Sequence, residues 1–351
     1  MRILVCGDVH WSNYSSILRS RGKKYSKRLE NLIDSVNWVE KTAIEEHCDR
    51  LVYLGDFFDK PNLNSEEITA LQDIIFANLP HCFLVGNHEF GNSNGSFNST
   101  YTLSTNDKDI INTPTTTVNT PCCIYDDENK TKLLFLPYIL DRDKQPIEIY
   151  SPEKYENTII FSHNDIKDVR LGQYFSKQGF SIDEIKQNCN LFINGHIHNG
   201  GEIEPGIINI GNLTGQNFSE DATIYKHQIL ILDTQTHELK FIDNPYANNF
   251  YKLDFTGIDN IETIKDKLKQ LNNAVLSIKI NIQFEEDIRK YISTLDNIVE
   301  YRLITENKLT SIVKDITLNN MDHIQAFIDF IHSNMESNPI LEDELSIVTR
   351  N

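Results

Sequence analysis

Five short apolar runs in this chain each stop at a cluster of metal-ligand side chains, in order, between residues 2 and 198. "RILVC" runs into Gly7–Asp8–Val9–His10, and "RLVYL" into Gly55–Asp56, with Asp59 three residues on. "CFLV" meets Gly86–Asn87–His88–Glu89 and "TIIF" meets Ser162–His163–Asn164–Asp165. "LFIN" meets Gly195–His196–Ile197–His198. Short apolar runs of this kind read as buried strands. In layered α/β folds the loops at the carboxyl ends of strands converge on one crevice. A fold built on these strands therefore gathers the five clusters in one place.

Helical stretches lie between the runs. Leu29, Leu32, Ile33, Val36, Val39 and Ala43 keep a helical period, as do Ile68, Leu71, Ile74, Ile75 and Leu79. The second stretch has a start signal in Asn64, with Glu67 three residues later. Strands alternating with helices predict α/β layering. Residues 92–120, rich in Asn, Ser and Thr, read as a long surface excursion. From residue 248 the pattern becomes β-α-β-α-β, with helices at 259–271 and 285–295. Ser277, Lys279 and Asn281 alternate with Leu276, Ile278 and Ile280, which predicts a half-exposed strand. A last amphipathic helix is expected at about 320–336. We divide the chain into 1–247, 248–315, and a terminal helix with its tail, 316–351.

The chain has 351 residues and a net charge of −18, which excludes indiscriminate binding to polyanions. One dense basic run stands against that balance: Arg19, Arg21, Lys23, Lys24, Lys27 and Arg28. It is either a phosphate-contacting patch or a solvated loop and helix start. The six cysteines show no metal-type spacing, and Cys122–Cys123 reads as buried packing. No apolar run approaches the ~20 residues needed to span a membrane. The amino terminus runs straight into the first motif rather than into a signal peptide. A reduced, cytoplasmic protein is expected.

Carboxylate, imidazole and amide donors without thiolate suit Mn²⁺, Mg²⁺, Fe or Zn. Seven such donors, Asp8, His10, Asp56, Asn87, His163, His196 and His198, are too many for one ion. Two ions sharing a bridging carboxylate would use them all. Such a pair can activate water and clamp both oxygens of a phosphoryl transfer. His163 also fits a plain loop, His88 a structural pair with Glu89, and Asp59 a helix cap. Asp165 reads as a turn residue.

The ordered set Asp-x-His, Gly-Asp-x-x-Asp, Gly-Asn-His-Glu, a lone His and Gly-His-x-His resembles the calcineurin-like metallophosphoesterase superfamily. The resemblance implies two β-sheets flanked by helices. It implies one ion on Asp8, His10 and His198, a second on Asn87, His163 and His196, and Asp56 between them. It makes His88 the acid near the leaving oxygen, with Asp59 and Glu89 supporting the ligands. "GDFFD" and "LLFLPYI" (133–139) are similar to the SbcD-type nuclease subunit of DNA double-strand-break repair, including phage recombination endonucleases. The segment after residue 248 is similar to that family's capping domain. This likeness implies a Mn²⁺-dependent DNA nuclease, Mg²⁺ being the alternative. It also implies an SbcC-type coiled-coil ATPase partner and a homodimer within a heterotetramer. That family grips its ATPase with C-terminal helices, which gives Met321, Ile324, Phe327, Ile328 and Ile331 a partner to face. Otherwise this stripe closes the second domain.

Glu89 departs from those nucleases, which usually carry Asp there, and matches protein Ser/Thr phosphatases instead. Those phosphatases, however, carry Arg-Gly after the second motif and Arg before the third. Here Lys60–Pro61 and Val85 stand in those places. "GNHEFGNS" has Asn92 where a phosphate loop needs Lys, so no nucleotide is expected to bind this chain. The readings that remain are a DNA nuclease, a hydrolase of small phosphoesters or phosphoproteins, and a non-catalytic scaffold on the same fold.

Overall fold

The computed structural model describes residues 1–306, apart from 93–94, 105–113, 128, 154 and 172–173. The chain begins with β1 (Arg2–Cys6), α1 (Lys27–Glu45), β2 (Arg50–Tyr53), α2 (Ser65–Leu71) and β3 (His81–Leu84). α3 (Tyr101–Ser104), β4 (Thr115–Val118), β5 (Cys122–Asp126), β6 (Thr131–Leu136), α4 (Ile147–Tyr150) and β7 (Asn157–Ser162) follow. Next come β8 (Arg170–Leu171), β9 (Tyr174–Phe175), α5 (Ile182–Asn188) and β10 (Leu191–Asn194). β11 (Gly201–Glu204), β12 (Ile207–Asn209), β13 (Gln228–Asp233) and β14 (Leu239–Asp243) complete the first body.

Two six-stranded sheets result, in the orders β14-β13-β1-β2-β3-β4 and β11-β12-β10-β7-β6-β5. β1 to β4 run parallel, as do β6, β7, β10 and β12, while the remaining edges are antiparallel. Ile3, Val5, Val52 and Leu54 of the first sheet meet Phe135, Ile159, Phe161 and Ile193 of the second in a common core. The alternate residues of the first sheet, Leu4, Leu51 and Tyr53, pack under Leu29, Leu32, Val36 and Val39 of α1. On the far side Leu134, Ile160 and Phe192 pack with Phe180 and Ile185. The architecture is the expected mixed α/β sandwich, two sheets flanked by helices.

α1 covers the predicted positions, and Ser26 caps it by accepting from the Leu29 amide. α2 starts as expected, with Asn64 and Glu67 closing a capping box. It stops at Leu71, however, well short of Leu79. Two side chains of α1 take over the backbone beyond it. Asn37 accepts from Ile75 N and donates to Asp73 O, and Glu40 accepts from Ala77 N. Ile75 is 78% exposed, so its helical spacing marks no buried stripe. Within the expected surface excursion, Thr115–Val118 pairs with β3 as an edge strand. Cys122 is exposed and Cys123 half-buried, because β5 is also an edge.

The expected β-α-β-α-β run is present: β15 (Asn249–Asp254), α6 (Ile261–Lys269), β16 (Ala274–Asn281), α7 (Glu285–Ile292) and β17 (Ile298–Glu306). Its three strands form a separate parallel sheet with β16 central. One face packs Leu276 and Ile278 on Ile264, Leu268 and Ile288. The other face of β16 is not half-exposed as its alternation predicts. Val275 packs with Leu18 and Phe218 of the first body. Ser277 and Asn281 are buried too, with Ser277 Oγ accepting from Arg302 Nε and Asn281 donating to Thr256 O. Only Lys279 of that set stays exposed. The predicted helix at 320–336, with Met321, Ile324, Phe327, Ile328 and Ile331, lies outside the described residues. Among those described, no helix is long and apolar enough to cross a membrane.

Glu40 ties the helix layer to the first sheet. Fully buried, it accepts from Tyr53 Oη (2.6 Å) and Ala77 N (2.9 Å) and sits 2.9 Å from His81 Nε2. Glu40→Leu removes this acceptor from the Tyr53 hydroxyl and the Ala77 amide, at roughly 1–3 kcal/mol for each buried group left unsatisfied. Denaturant unfolding of the variant is expected to show a loss of about 2 kcal/mol or more. A loss under about 1 kcal/mol would show that this bridge does not hold the layers together.

Candidate metal centre

Every ligand-type residue expected from the sequence leaves the carboxyl end of a parallel strand. Asp8 and His10 follow β1, Asp56 follows β2, and Asn87 and His88 follow β3. His163 follows β7, and His196 and His198 follow β10. The first three strands belong to one sheet and the last two to the other, so the loops close over the seam between them.

Two groups of donors form there. One donor atom each from Asp8, His10 and His198 lies within 4.8 Å of the other two, and the same holds for Asp56, His163 and His196. Asn87 joins the second group, its Oδ1 standing 3.3 Å from His163 Nε2 and 3.0 Å from His196 Nδ1. Asp56 also clusters with His10 and His88, so its carboxylate stands where the groups meet. Oδ2 lies 3.1 Å from His163 Nε2, and Oδ1 accepts from His88 N.

The far ring nitrogens are held from behind. His163 Nδ1 lies 2.8 Å from the Leu54 carbonyl, His198 Nδ1 3.1 Å from Glu220 Oε1, and His10 Nδ1 3.2 Å from Asp59 Oδ1. Each arrangement leaves Nε2 for the shared space, as a partner behind a ligating imidazole does. Asp8 Oδ2 and His10 Nε2 are fully buried, 3.8 Å apart, and without a hydrogen-bond partner among the described residues. Buried polar atoms are almost always bonded. Oxygen and imidazole donors left facing a shared gap, with no thiolate, fit a divalent cation.

The backbone is bent to bring these groups together. His10, Asp56 and His196 all have positive φ, at 51°, 47° and 69°. Non-glycine residues take that conformation at a cost that surrounding structure must hold in place. Gly86 allows a close approach: a Cβ there would sit 2.1 Å from Asp56 Oδ1.

The charges are interlocked. Burial works to raise the Asp56 carboxyl, but the neighbouring histidines, His163 foremost, hold it well below the usual carboxylate range. Burial pulls the His163 imidazole down, yet Asp56 and Asp8 carry it up to about 9. Burial keeps His10 below its usual value, which favours the neutral, ligating form. Glu89, fully buried, accepts from Gly86 N (2.7 Å) and Phe58 N (3.1 Å) and so braces the third motif on the second. Burial and the Asp56 charge push its carboxyl up to about 8. His88 therefore does not pair with Glu89. Its Nδ1 lies 3.1 Å from the Asp59 carbonyl, and its ring stays 38% exposed beside the donor groups.

The basic run behaves differently from a free phosphate patch. Arg21 pairs with Glu66, Lys24 with Asp73, and Arg19 donates to Ser16 O. Lys27 Nζ donates to Val299 O, and Lys23 is exposed. Arg28, expected to face DNA, is instead 4% exposed and donates to the His10 carbonyl. The first turn of α1 packs beneath the first motif's loop, which turns this guanidinium inward. Two supports of the histidines escaped the sequence analysis. Glu220 is buried and also accepts from Gln216 N and Asn217 Nδ2. Asp165 Oδ1 lies 3.4 Å from His196 Nε2, which holds the carboxyl below its usual range. Glu220 follows none of the five runs and keeps no recognisable spacing, whereas Asp165 ends the cluster after β7 but reads in the sequence only as a turn residue.

Paired sheets with two adjoining N/O donor groups at their strand ends define a two-metal phosphoester hydrolase. The calcineurin-like phosphoesterase family model matches residues 1–200, and the chain belongs to that family. Among solved structures the chain is similar to TT1561 of Thermus thermophilus, at 10% identity over 69% of this chain and 98% of that one, TM-score 0.39. It is also similar to a dimetal phosphatase from Danio rerio, at 14% identity over 70% and 99% of the two chains, TM-score 0.39. A metallophosphoesterase from Sphaerobacter thermophilus matches at 14% identity over 69% and 88%, TM-score 0.30. No curated protein matches the sequence.

A metal can take His163 Nε2 only after its proton leaves. With the metal-free imidazole at about 9, binding at neutral pH is expected to release about one proton from this group. Below about pH 9, apparent affinity for the ion at His163 should fall by up to tenfold per pH unit. Calorimetric titration of Mn²⁺ in buffers of different ionisation enthalpy measures the proton count. Affinity flat between pH 6 and 9 would show that His163 is not protonated in the metal-free site.

Proposed function

We propose that this chain is a DNA nuclease of the SbcD type, cutting phosphodiester bonds with two divalent ions, Mn²⁺ by its likeness to that nuclease subunit and Mg²⁺ as the alternative. The support is where the second unit docks. Residues 15–27, which leave the His10 motif, are braced on the three-stranded unit. Ser20 donates to Glu300, Lys27 to Val299 O, and Leu18 packs on Val275. A small α/β unit fastened to the loop of a ligand fits a cap that guides an extended substrate.

In this reading Asp8, His10 and His198 would hold one ion, Asn87, His163 and His196 the other, and Asp56 would be shared between them. Two bound ions supply an activated water and a clamp on the attacking and leaving oxygens. His88 donates a proton from Nε2 to the leaving oxygen, its Nδ1 being fixed by the Asp59 carbonyl. Glu89 and Asp59 keep these loops in register. The partners we propose are DNA ends or single strands, a coiled-coil ATPase of the SbcC type, and a second copy of this chain. The stripe Met321–Ile331 is the ATPase-docking element. Six unpaired cysteines support a reduced, cytoplasmic setting.

The ion pairs of Arg21 and Lys24 favour a second reading, a hydrolase of small phosphoesters, because they neutralise the basic run. One experiment separates the two. End-labelled duplex and single-stranded DNA are incubated with the protein and Mn²⁺ beside p-nitrophenyl phosphate. Degradation of DNA with little monoester turnover is expected, and monoester turnover alone would overturn the nuclease reading. In the same assay His88→Ala should slow cleavage by roughly 10²–10⁴, the range of a positioned general acid, while retaining wild-type metal content.

A further inference from the structure

A cavity of about 220 Å³ is lined by Tyr138, whose ring also stands against His196 of the second donor group. Its walls are Phe90, Pro121, Pro137, Tyr138 and Tyr150. The Tyr138 ring lies 5.6 Å from that of His196 and 6.5 Å from that of His163. Phe90 meets Tyr138 edge to face at 5.7 Å, so two aromatic rings stand at right angles next to the metal centre.

This wall is fixed in place by the ligand loops themselves. Tyr138 N donates to Val85 O, just before Gly86–Asn87, and Ile139 N donates to Asn164 Oδ1, just after His163. A ring held by the same backbone as the ligands keeps its distance from whatever the ligands hold. The volume is below the roughly 300–1,000 Å³ of sites that enclose a drug-sized ligand. It takes one flat ring system and leaves a sugar and a phosphate outside. The polar groups at its rim, the Asn119 amide and the Asp143 carboxylate, can bond a base edge. A nucleotide enters base first, with its phosphate towards His196 beyond the Tyr138 ring.

We infer that the Phe90–Tyr138 cavity is a nucleobase subsite that holds the base next to the phosphodiester being cut. This deepens the nuclease reading and rests on it, since it names the part of the substrate that the site recognises. Stacking on an aromatic side chain accepts any base, so the subsite gives affinity for nucleotides with little sequence preference.

The test compares two diesters with the same leaving group, thymidine 5′-(p-nitrophenyl phosphate) and methyl p-nitrophenyl phosphate. The wild-type protein with Mn²⁺ is expected to prefer the thymidine ester in kcat/KM. Phe90→Leu and Tyr138→Leu should each lower that ratio roughly 5- to 150-fold, the worth of one stacked base. Tyr138→Phe, which keeps the ring, should retain it. Because the ratio cancels general damage to the metal centre, equal ratios in the wild type and both leucine variants would overturn the subsite. A second measurement needs no turnover: calorimetric binding of thymidine 5′-monophosphate and of deoxyribose 5-phosphate to the metal-free protein. Tighter binding of the nucleotide, lost in both leucine variants, supports the subsite even if neither ester is hydrolysed, an outcome that would count against the nuclease reading alone. Equal binding of the two ligands would overturn it.

Discussion

Asp56 carries a negative charge at a point where only 1% of its surface reaches solvent, and the rest of the centre is arranged around that fact. An isolated buried carboxylate is too costly to keep ionised unless it is paired and hydrogen-bonded. His163 Nε2 stands at 3.1 Å and the His88 amide at 2.9 Å, with His10 close by. These neighbours come from the ends of three other strands, in both sheets. The carboxylate therefore makes the convergence of the two sheets an electrostatic requirement as well as a packing one. The same charge keeps His163 protonated in the absence of metal, so a divalent cation replaces a proton rather than entering a neutral site.

The loops that carry the ligands are tied to each other before any ion is considered. Val9 N and His10 N both donate to the Asp56 carbonyl, and Trp11 N donates to Phe57 O. Leu213 N donates to the Asp8 carbonyl, and Gly195 N to the Ser162 carbonyl. Glu89 ties the third motif to the second through Gly86 N and Phe58 N. His10, Asp56 and His196 can persist at positive φ because this frame over-determines them. A preorganised cage of this kind reorganises little when it is loaded, which is what electrostatic catalysis needs.

The acidic surface and the basic run look contradictory in the sequence and are reconciled by contacts. Arg21 and Lys24 meet Glu66 and Asp73 next to the first motif. Arg28 serves the His10 carbonyl from inside. The run thus fastens the loop after the first motif to α2, to the turn beyond it, and to the 249–306 unit. Recognition of a substrate is left to the metal centre and to groups beside it, such as the aromatic walls of the Phe90–Tyr138 cavity.

Which donor side chains stand at the strand mouths was legible in the sequence because that is local. A short apolar run followed by Gly and a donor specifies a strand, a tight turn and a side chain at its mouth, and none of this needs a distant partner. Hence Asp8, His10, Asp56, Asn87, His163, His196 and His198 were readable, along with α1 and the β-α-β-α-β order after residue 248. Properties that depend on what lies opposite were not readable. α2 ends at Leu71 because Asn37 and Glu40 of another helix bond the backbone beyond it. β16 is buried on both faces because Leu18 and Phe218 cover the side that its alternation leaves polar. Glu220 and Asp165 sit behind histidines that are 22 and 31 residues away in the chain. The sequence by itself determined which side chains stand at the strand mouths, since strand period and turn chemistry act over a few residues. Only the tertiary structure decided which charges are buried, which are neutralised and which remain free, because desolvation and pairing are set by neighbours that the chain brings together last.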